Sequence, residues 1–125
     1  MKDTTTTVQE LRAQAKKFVD EREWNQFHNA KNLSMTLATE VGELMEYFRF
    51  TSFEEIPAIF EKDRAGIEKE VADVMIALLA FANAYGIDLS SAVENKLEIL
   101  NKRYPADVVR GNHNAKELVG HQKGT

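Results

Sequence analysis

Two pairs of carboxylates stand out because each pair is spaced three residues apart among apolar neighbours. Glu40 and Glu43 form the first pair, and Glu70 and Asp73 form the second. A carboxylate that is buried without a partner is costly, so acids in such surroundings call for a positive charge nearby. Four carboxylates also make an oxygen-rich ligand set of the kind that suits Mg²⁺ or Mn²⁺. Because Mg²⁺ usually shares its shell with substrate phosphates, the spacing points to metal-assisted phosphate chemistry.

The first pair lies on a segment whose apolar residues recur with helical periodicity. A helix turns about 100° per residue, which places one apolar stripe on a single face of this segment. Glu40 falls at the edge of the stripe, and Glu43 lies one step further round. The pattern therefore predicts that Glu40 is directed inward with Glu43 beside it. The stripe consists of Leu33, Leu37, Val41, Leu44 and Phe48.

The second pair lies at the start of a segment, Val71 to Tyr85, that is apolar on almost every side. Such a pattern is typical of a buried helix, and it predicts that Asp73 faces the interior. A later helix carries Lys96 and Arg103 at the edge of its own apolar stripe. We therefore expect a cation to face the same interior as the acids.

Four helices are predicted to position these groups, and no strand periodicity is present. The expected class is all-α, a single four-helix-bundle-like domain over residues 1–105 followed by a polar tail over 106–125. Trp24 to Asn32 and the segment around Pro57 are expected to be connections. The first helix follows a capping box, Thr7 with Glu10. The others are expected from about Leu33 to Phe50, from near Arg64 to a C-terminal cap at Gly86, and from Asp88 or Ser91 to Tyr104.

Composition narrows the functional classes. The chain has 125 residues, of which 43% are hydrophobic and 29% charged, with a net charge of −4. This charge argues against binding to a nucleic-acid polymer. The absence of cysteine excludes disulfides and thiolate chemistry. The longest apolar run, Val74 to Ala82, is far shorter than the ~20 residues of a membrane span, so we expect a cytoplasmic protein without a membrane partner.

Several motifs taken together resemble one known family. They are E-x-x-E (Glu40, Glu43), E-x-x-D (Glu70, Asp73), Lys96, and the ending Lys102-Arg103-Tyr104-Pro105. This combination resembles the MazG-like group of all-α nucleoside triphosphate pyrophosphohydrolases. The segment Trp24-Asn25-Gln26-Phe27-His28, followed by Asn32-Leu33, resembles more narrowly the compact branch that includes dCTP pyrophosphatases. The resemblance covers about residues 24 to 105.

The resemblance implies hydrolysis of a nucleoside triphosphate, preferably a dNTP, to the monophosphate and pyrophosphate, in the service of nucleotide-pool cleaning. It also implies self-association as a homodimer or homotetramer, which the apolar third helix independently favours. Mg²⁺, with Mn²⁺ as a substitute, would be held by Glu40, Glu43, Glu70 and Asp73, with Lys96 completing the catalytic set. The implied substrate-binding residues are Trp24, Phe27, His28, Lys31, Phe50, Lys96, Asn101, Arg103 and Tyr104.

Three positions depart from the family pattern. Phe50 stands where relatives often have tryptophan, Ala77 where they have tyrosine, and Leu100, next to Asn101, where they have asparagine. These differences leave the preferred base open. A non-catalytic helical nucleotide-binding or adaptor module remains the alternative. A di-metal oxidase would require E-x-x-H pairs, which neither acid pair provides.

Overall fold

The computed structural model describes residues 1–112, and their regular structure is helical. No strand occurs among these residues, so the all-α prediction is confirmed. Short 3₁₀ turns, Trp24–Phe27 and Phe53–Glu55, precede the second and third helices. The α-helices of the described chain are α1 (Val8–Glu21), α2 (Ala30–Glu46), α3 (Ile56–Tyr85), α4 (Leu89–Arg103) and α5 (Ala106–Val109).

The chain divides into two compact units. The first, Met1–Ile87, contains α1, α2 and α3. The second begins at Asp88 and contains α4 and α5 in its described part. Within the second unit, the Asp88 side chain accepts a hydrogen bond from the Ser91 amide at 2.8 Å, as expected for an N-cap.

In the first unit, α3 packs against both α2 and α1. Small side chains on α3 let its neighbours approach closely, since three of its buried residues are alanines. Leu33 contributes from α2, and α1 contributes two residues. The buried core consists of Ala15, Val19, Leu33, Ile67, Ala77, Leu79, Ala80 and Ala82.

Arg12 ties α1 to the C-terminal end of α3. Its guanidinium donates hydrogen bonds to Asn83 Oδ1 at 3.0 Å, to the Ala82 carbonyl at 3.2 Å and to the Ile87 carbonyl. Asn83 Nδ2 returns a hydrogen bond to the Arg12 carbonyl at 3.0 Å. The last carbonyls of a helix lack intrahelical donors and carry partial negative charge, so a cation there satisfies both requirements.

Two helix ends in the first unit agree with the sequence prediction, as does the Asp88 cap in the second. The capping box is formed: Thr7 Oγ1 accepts from the Glu10 amide at 3.2 Å, and Glu10 Oε2 accepts from the Thr7 amide at 2.6 Å. Gly86 ends α3 in the left-handed conformation, with φ at +61°. Glycine suits this position because it has no Cβ to clash there.

The predicted start of α2 is corrected by three residues. The helix begins at Ala30 because Asn29 Oδ1 accepts from the Asn32 amide at 2.9 Å and so provides the N-cap. Part of the segment expected to be a loop is therefore helical. The helix also ends at Glu46, before the predicted Phe50.

The predicted start of α3 near Arg64 coincides with a kink at Asp63, and an additional helical segment from Ile56 precedes that kink. Pro57 lies in the first turn, where its missing N–H leaves no hydrogen bond unmade. The helix is interrupted at Asp63, whose φ of −118° and ψ of 19° are not helical. The short helix α5 follows α4 within the segment predicted to be a polar tail. Residues 113–125 of that tail lie outside the described residues.

The third helix is less buried than its composition predicts. Val71 is 51% exposed and Ile76 is 49% exposed, and the Asp73 side chain also reaches the surface. Within residues 1–112, no single helix is long and apolar enough to cross a membrane. Among the same residues, one pair of helical segments reaches that length and composition when the two segments are counted together. The pair is Phe53–Tyr85 and Leu89–Arg103.

Candidate active site

Three carboxylates from two helices meet in the first unit. One oxygen each from Glu40, Glu43 and Glu70 lies within 4.8 Å of the other two. Glu40 and Glu43 are one turn apart on α2, and Glu70 faces them from α3. Glu40 and Glu70 are half-buried, while Glu43 is exposed. The packing of α2 on α3 thus brings together residues that are thirty positions apart in sequence.

Burial, together with the neighbouring negative charges, raises the pKa of two of these groups. Burial is the main cause of the raised pKa of Glu40, followed by the charge of Glu43, a hydrogen bond with Glu43, and the charges of Asp73 and Glu70. Burial is also the first cause of the raised pKa of Glu70, followed by Glu43 and then Asp73. Because Asp73 contributes to both pKa shifts, all four predicted acids share one electrostatic environment.

Two oxygens of this cluster lack a partner. Glu40 Oε2 and Glu70 Oε2 are inaccessible to water and accept no hydrogen bond. Within Met1–Ile87, the ion pairs formed by lysine and arginine involve none of the four acids. Buried acceptors without donors are costly, which makes this arrangement unfavourable for the protein alone.

The cluster fits a divalent cation. Mg²⁺ binds oxygen at about 2.0–2.1 Å, so two ligands on opposite sides of one ion are about 4 Å apart. Oxygens within 4.8 Å of one another need only small side-chain rotations to reach that separation. The ion would supply the positive charge that the unpartnered oxygens lack.

A cavity of about 390 Å³ adjoins the cluster. Glu40 and Asp73 lie on its wall, as do the aromatic residues Phe18, Trp24 and Phe27. The volume lies within the range of about 300–1,000 Å³ that is usual for small-molecule sites. The remaining lining residues are Val19, His28, Asn32, Leu33, Thr36, Ile76, Ala77 and Ala80.

The aromatic wall is positioned by hydrogen bonds at both ends of its 3₁₀ turn. Asn25 Nδ2 donates to Asp20 Oδ1 on α1 at 2.7 Å, and Asn32 Nδ2 on α2 donates to the Phe27 carbonyl at 3.0 Å. The Trp24 ring contacts Phe18 edge to face, with ring centroids 5.7 Å apart. Trp24 is 44% exposed, which leaves part of its ring free to stack on a planar ligand.

The other predicted residues lie elsewhere. Lys31 and Phe50 are not among the residues that line the cavity, and Phe50 is 86% exposed beneath the Arg49 guanidinium, 4.6 Å from its ring centroid. In the second unit, Lys96 and Asn101 are exposed on α4, and Arg103 and Tyr104 are half-buried at its end. The substrate-binding roles of these six residues stay predictions from the resemblance.

The sequence interpretation missed lining residues that helical spacing could have revealed. Thr36 and Asn32 precede Glu40 by one and two helical turns, so they share its face of α2. On α3, Ile76 follows Asp73 by three residues and occupies the same side. Phe18 carried no such signal, because its place in the wall depends on how α1 packs.

Comparison with known protein families places the chain in one of them. The model of the MazG-like family matches residues 35–117, a span that includes all four carboxylates. This chain belongs to the MazG-like family. The family predicted from the acid motifs is therefore confirmed.

Relatives of this MazG-like chain include mammalian enzymes. Human dCTP pyrophosphatase 1 is 40% identical over 106 residues, covering 83% of this chain and 62% of the relative. The rat dCTP pyrophosphatase 1 is 39% identical over 107 residues, covering 84% and 63%. The chain thus spans about 63% of the length of these curated relatives.

A solved structure of a pyrophosphatase from Archaeoglobus fulgidus shares the fold. It superposes with a TM-score of 0.76 at 33% sequence identity. The match covers 84% of this MazG-like chain and 98% of the archaeal one.

Proposed function

We propose that this protein is a nucleoside triphosphate pyrophosphohydrolase that releases pyrophosphate and the nucleoside monophosphate. The main support for this proposal is that an acidic cluster with unpartnered oxygens adjoins a cavity with an aromatic wall. dCTP is the first substrate to consider, because the mammalian relatives are named dCTP pyrophosphatase 1.

The two ends of the site suit the two ends of a nucleotide. Trp24 and Phe27 offer exposed ring faces on which a base can stack, and the carboxylates lie at the other part of the wall. Phosphates would be repelled by Glu40 and Asp73 without a cation between them. A divalent ion is therefore part of the proposal.

Mg²⁺, with Mn²⁺ as a substitute, would be held by Glu40, Glu43 and Glu70, with Asp73 as the fourth acid. When bound, the ion would neutralise phosphate charge and lower the pKa of an attacking water. The carboxylates fix the position of that charge relative to the cavity, and α2 and α3 hold the carboxylates rigidly. The aromatic wall would stack against the base and hold it in place.

We also propose that the protein removes unwanted nucleotides from the cellular pool and acts as a homodimer or homotetramer. Assembly is supported by exposed apolar side chains on α3, among them Val71, Ile76 and Leu78. Exposed apolar surface of this kind is typical of protein interfaces. Sedimentation equilibrium at micromolar concentration should give a dimer or tetramer, and a monomer would refute the assembly.

The function is tested by incubating the protein with each natural dNTP and NTP in the presence of Mg²⁺ and measuring pyrophosphate. Release of pyrophosphate together with the monophosphate is expected, and a chelator should abolish it. Release of inorganic phosphate alone would show a different phosphatase activity. Binding of a nucleotide without any turnover would favour the non-catalytic nucleotide-binding module instead.

A further inference from the structure

Two polar residues of the cavity wall, Asn32 and Thr36, have hydrogen-bond donors that are already engaged. Asn32 Nδ2 donates to the Phe27 carbonyl at 3.0 Å. Thr36 Oγ1 donates to the Asn32 carbonyl at 2.9 Å. Both residues lie on α2 and line the cavity.

These contacts fix the polarity that each side chain offers to a ligand. A backbone carbonyl can only accept, so the Asn32 amide must keep its nitrogen toward Phe27. Rotating that amide by half a turn would place Oδ1 against another carbonyl oxygen. The Thr36 hydroxyl has a single proton, which the Asn32 carbonyl holds. Thr36 therefore offers only lone pairs to the cavity, and Asn32 offers Oδ1 with at most one amide hydrogen.

We infer that Thr36, with Asn32 Oδ1 as a second acceptor, selects bases that carry an exocyclic amino group. Such a group donates hydrogen bonds, as in cytosine and adenine, whereas uracil, thymine and hypoxanthine carry an oxygen in the same place. An oxygen there would face the Thr36 hydroxyl oxygen, whose proton is held by the Asn32 carbonyl, and leave it unpaired once the base displaces water. Sites that leave polar groups unpaired reject the wrong substrate strongly.

The position of the two residues is consistent with this role. Thr36 and Asn32 precede Glu40 by one and two turns of α2, on the base side of the carboxylates. His28 also lines the cavity, but a neutral imidazole, like the Asn32 amide, offers both a donor and an acceptor and can serve either kind of base, so the selection falls to Thr36. The inference rests on the proposed function in so far as it takes the cavity to be a base site.

The test is the binding of free nucleosides, which requires neither metal nor turnover. Trp24 is the single tryptophan of the chain and lines the cavity, so its indole N–H signal in NMR reports binding there. Deoxycytidine is compared with deoxyuridine, and deoxyadenosine with deoxyinosine, because each pair differs at the amino or oxo position. The pair with the larger difference in affinity shows which ring the site prefers.

Three variants isolate the Thr36 hydroxyl. Thr36→Val removes it, and Thr36→Ser retains it. Thr39→Val is the matched control, because the Thr39 hydroxyl makes the same 2.9 Å bond to the carbonyl four residues earlier, that of Met35, and does not line the cavity.

We expect wild type to bind the amino member of a pair more tightly than the oxo member. Thr36→Val should reduce that preference by about 3- to 10-fold, the effect of losing one neutral hydrogen bond. Thr36→Ser and Thr39→Val should retain the preference. Equal affinities in wild type, an undiminished preference in Thr36→Val, or no change of the Trp24 signal with any nucleoside would overturn the inference.

The outcome is independent of the hydrolysis assay. If triphosphates are hydrolysed but Thr36→Val retains the full preference, the selectivity inference fails and the proposed function stands. If the preference behaves as expected but no triphosphate releases pyrophosphate, the hydrolase proposal fails while base recognition by Asn32 and Thr36 stands.

Discussion

Replacing Arg12 by alanine should destabilise the first unit and loosen the cavity wall. The guanidinium donates to Asn83 Oδ1 and to the carbonyls of Ala82 and Ile87 at the end of α3. A hydrogen bond to a charged group is worth about 1.5–3 kcal/mol, and a cation at a helix C-terminus adds about 0.3–1 kcal/mol. Arg12 is only half-buried, so water replaces part of what is lost. We therefore expect the free energy of unfolding to fall by about 2–3 kcal/mol.

Denaturant unfolding followed by circular dichroism, at one fixed protein concentration, measures this change. Trp24 fluorescence should report the same loss, because Arg12 holds α1 in place and α1 carries Phe18 of the cavity wall. Arg64→Ala is the control, since exposed Arg64 makes one ion pair, with Glu68 at 3.3 Å, and a contact with the Phe60 ring at 5.7 Å, and it should change stability by less than about 1 kcal/mol. A free energy of unfolding for Arg12→Ala that lies within the same margin of wild type would contradict the stabilising role of Arg12.

Two other predictions concern the raised pKa values of Glu40 and Glu70 and the close approach of Tyr47 to Gly66. Because the folded pKa values of Glu40 and Glu70 are raised above 4.5, the metal-free protein should lose stability as pH rises through those folded values, and Mg²⁺ should oppose the loss. The free energy of unfolding of wild type and of the Glu40→Gln/Glu70→Gln double variant can be measured by chemical denaturation in chelator at several pH values. Unfolding free energies that change with pH in parallel in the two proteins would contradict this prediction. Gly66→Ala should destabilise by about 1–2 kcal/mol, since its Cβ would clash with Tyr47 Oη. In a Tyr47→Phe background the cost should largely disappear, and an unchanged cost in the double-mutant cycle would rule out this clash.

The helices and most of their ends could be predicted because their determinants are local. The Thr7–Glu10 capping box, the glycine at position 86 and the Asp88 cap each depend on residues within one turn. The convergence of Glu40 and Glu43 follows from helix geometry alone. That the second pair would join them was expected from the apolar stripe beside Glu40 and from the apolar surroundings of Asp73, and the packing of α2 on α3 brings Glu40, Glu43 and Glu70 together.

Features that depend on distant partners were not predictable in the same way. In the sequence, Arg12 has no feature that distinguishes it from a surface residue. Its partners at the end of α3 are about seventy positions away and come near it only when α1 packs on α3. The acid-rich segment around Pro57 predicts a connection, whereas Pro57 lies in the first turn of α3. Asp73 was expected to be buried, but the cavity beside it gives it access to solvent.

The most direct test of the central claim compares Glu43→Gln with Glu46→Gln in the Mg²⁺-dependent release of pyrophosphate from dCTP. Both glutamates are exposed and lie one turn apart on α2, but Glu43 belongs to the carboxylate cluster and Glu46 pairs with Arg49 at 3.3 Å. Glutamine preserves the shape of either side chain and removes its charge. We expect Glu43→Gln to lower the rate by at least about 100-fold, more than the usual loss for an outer-shell residue, and Glu46→Gln to stay close to wild type. Equal rates for the two variants would contradict the assignment of the cluster as the metal-binding centre of a pyrophosphohydrolase.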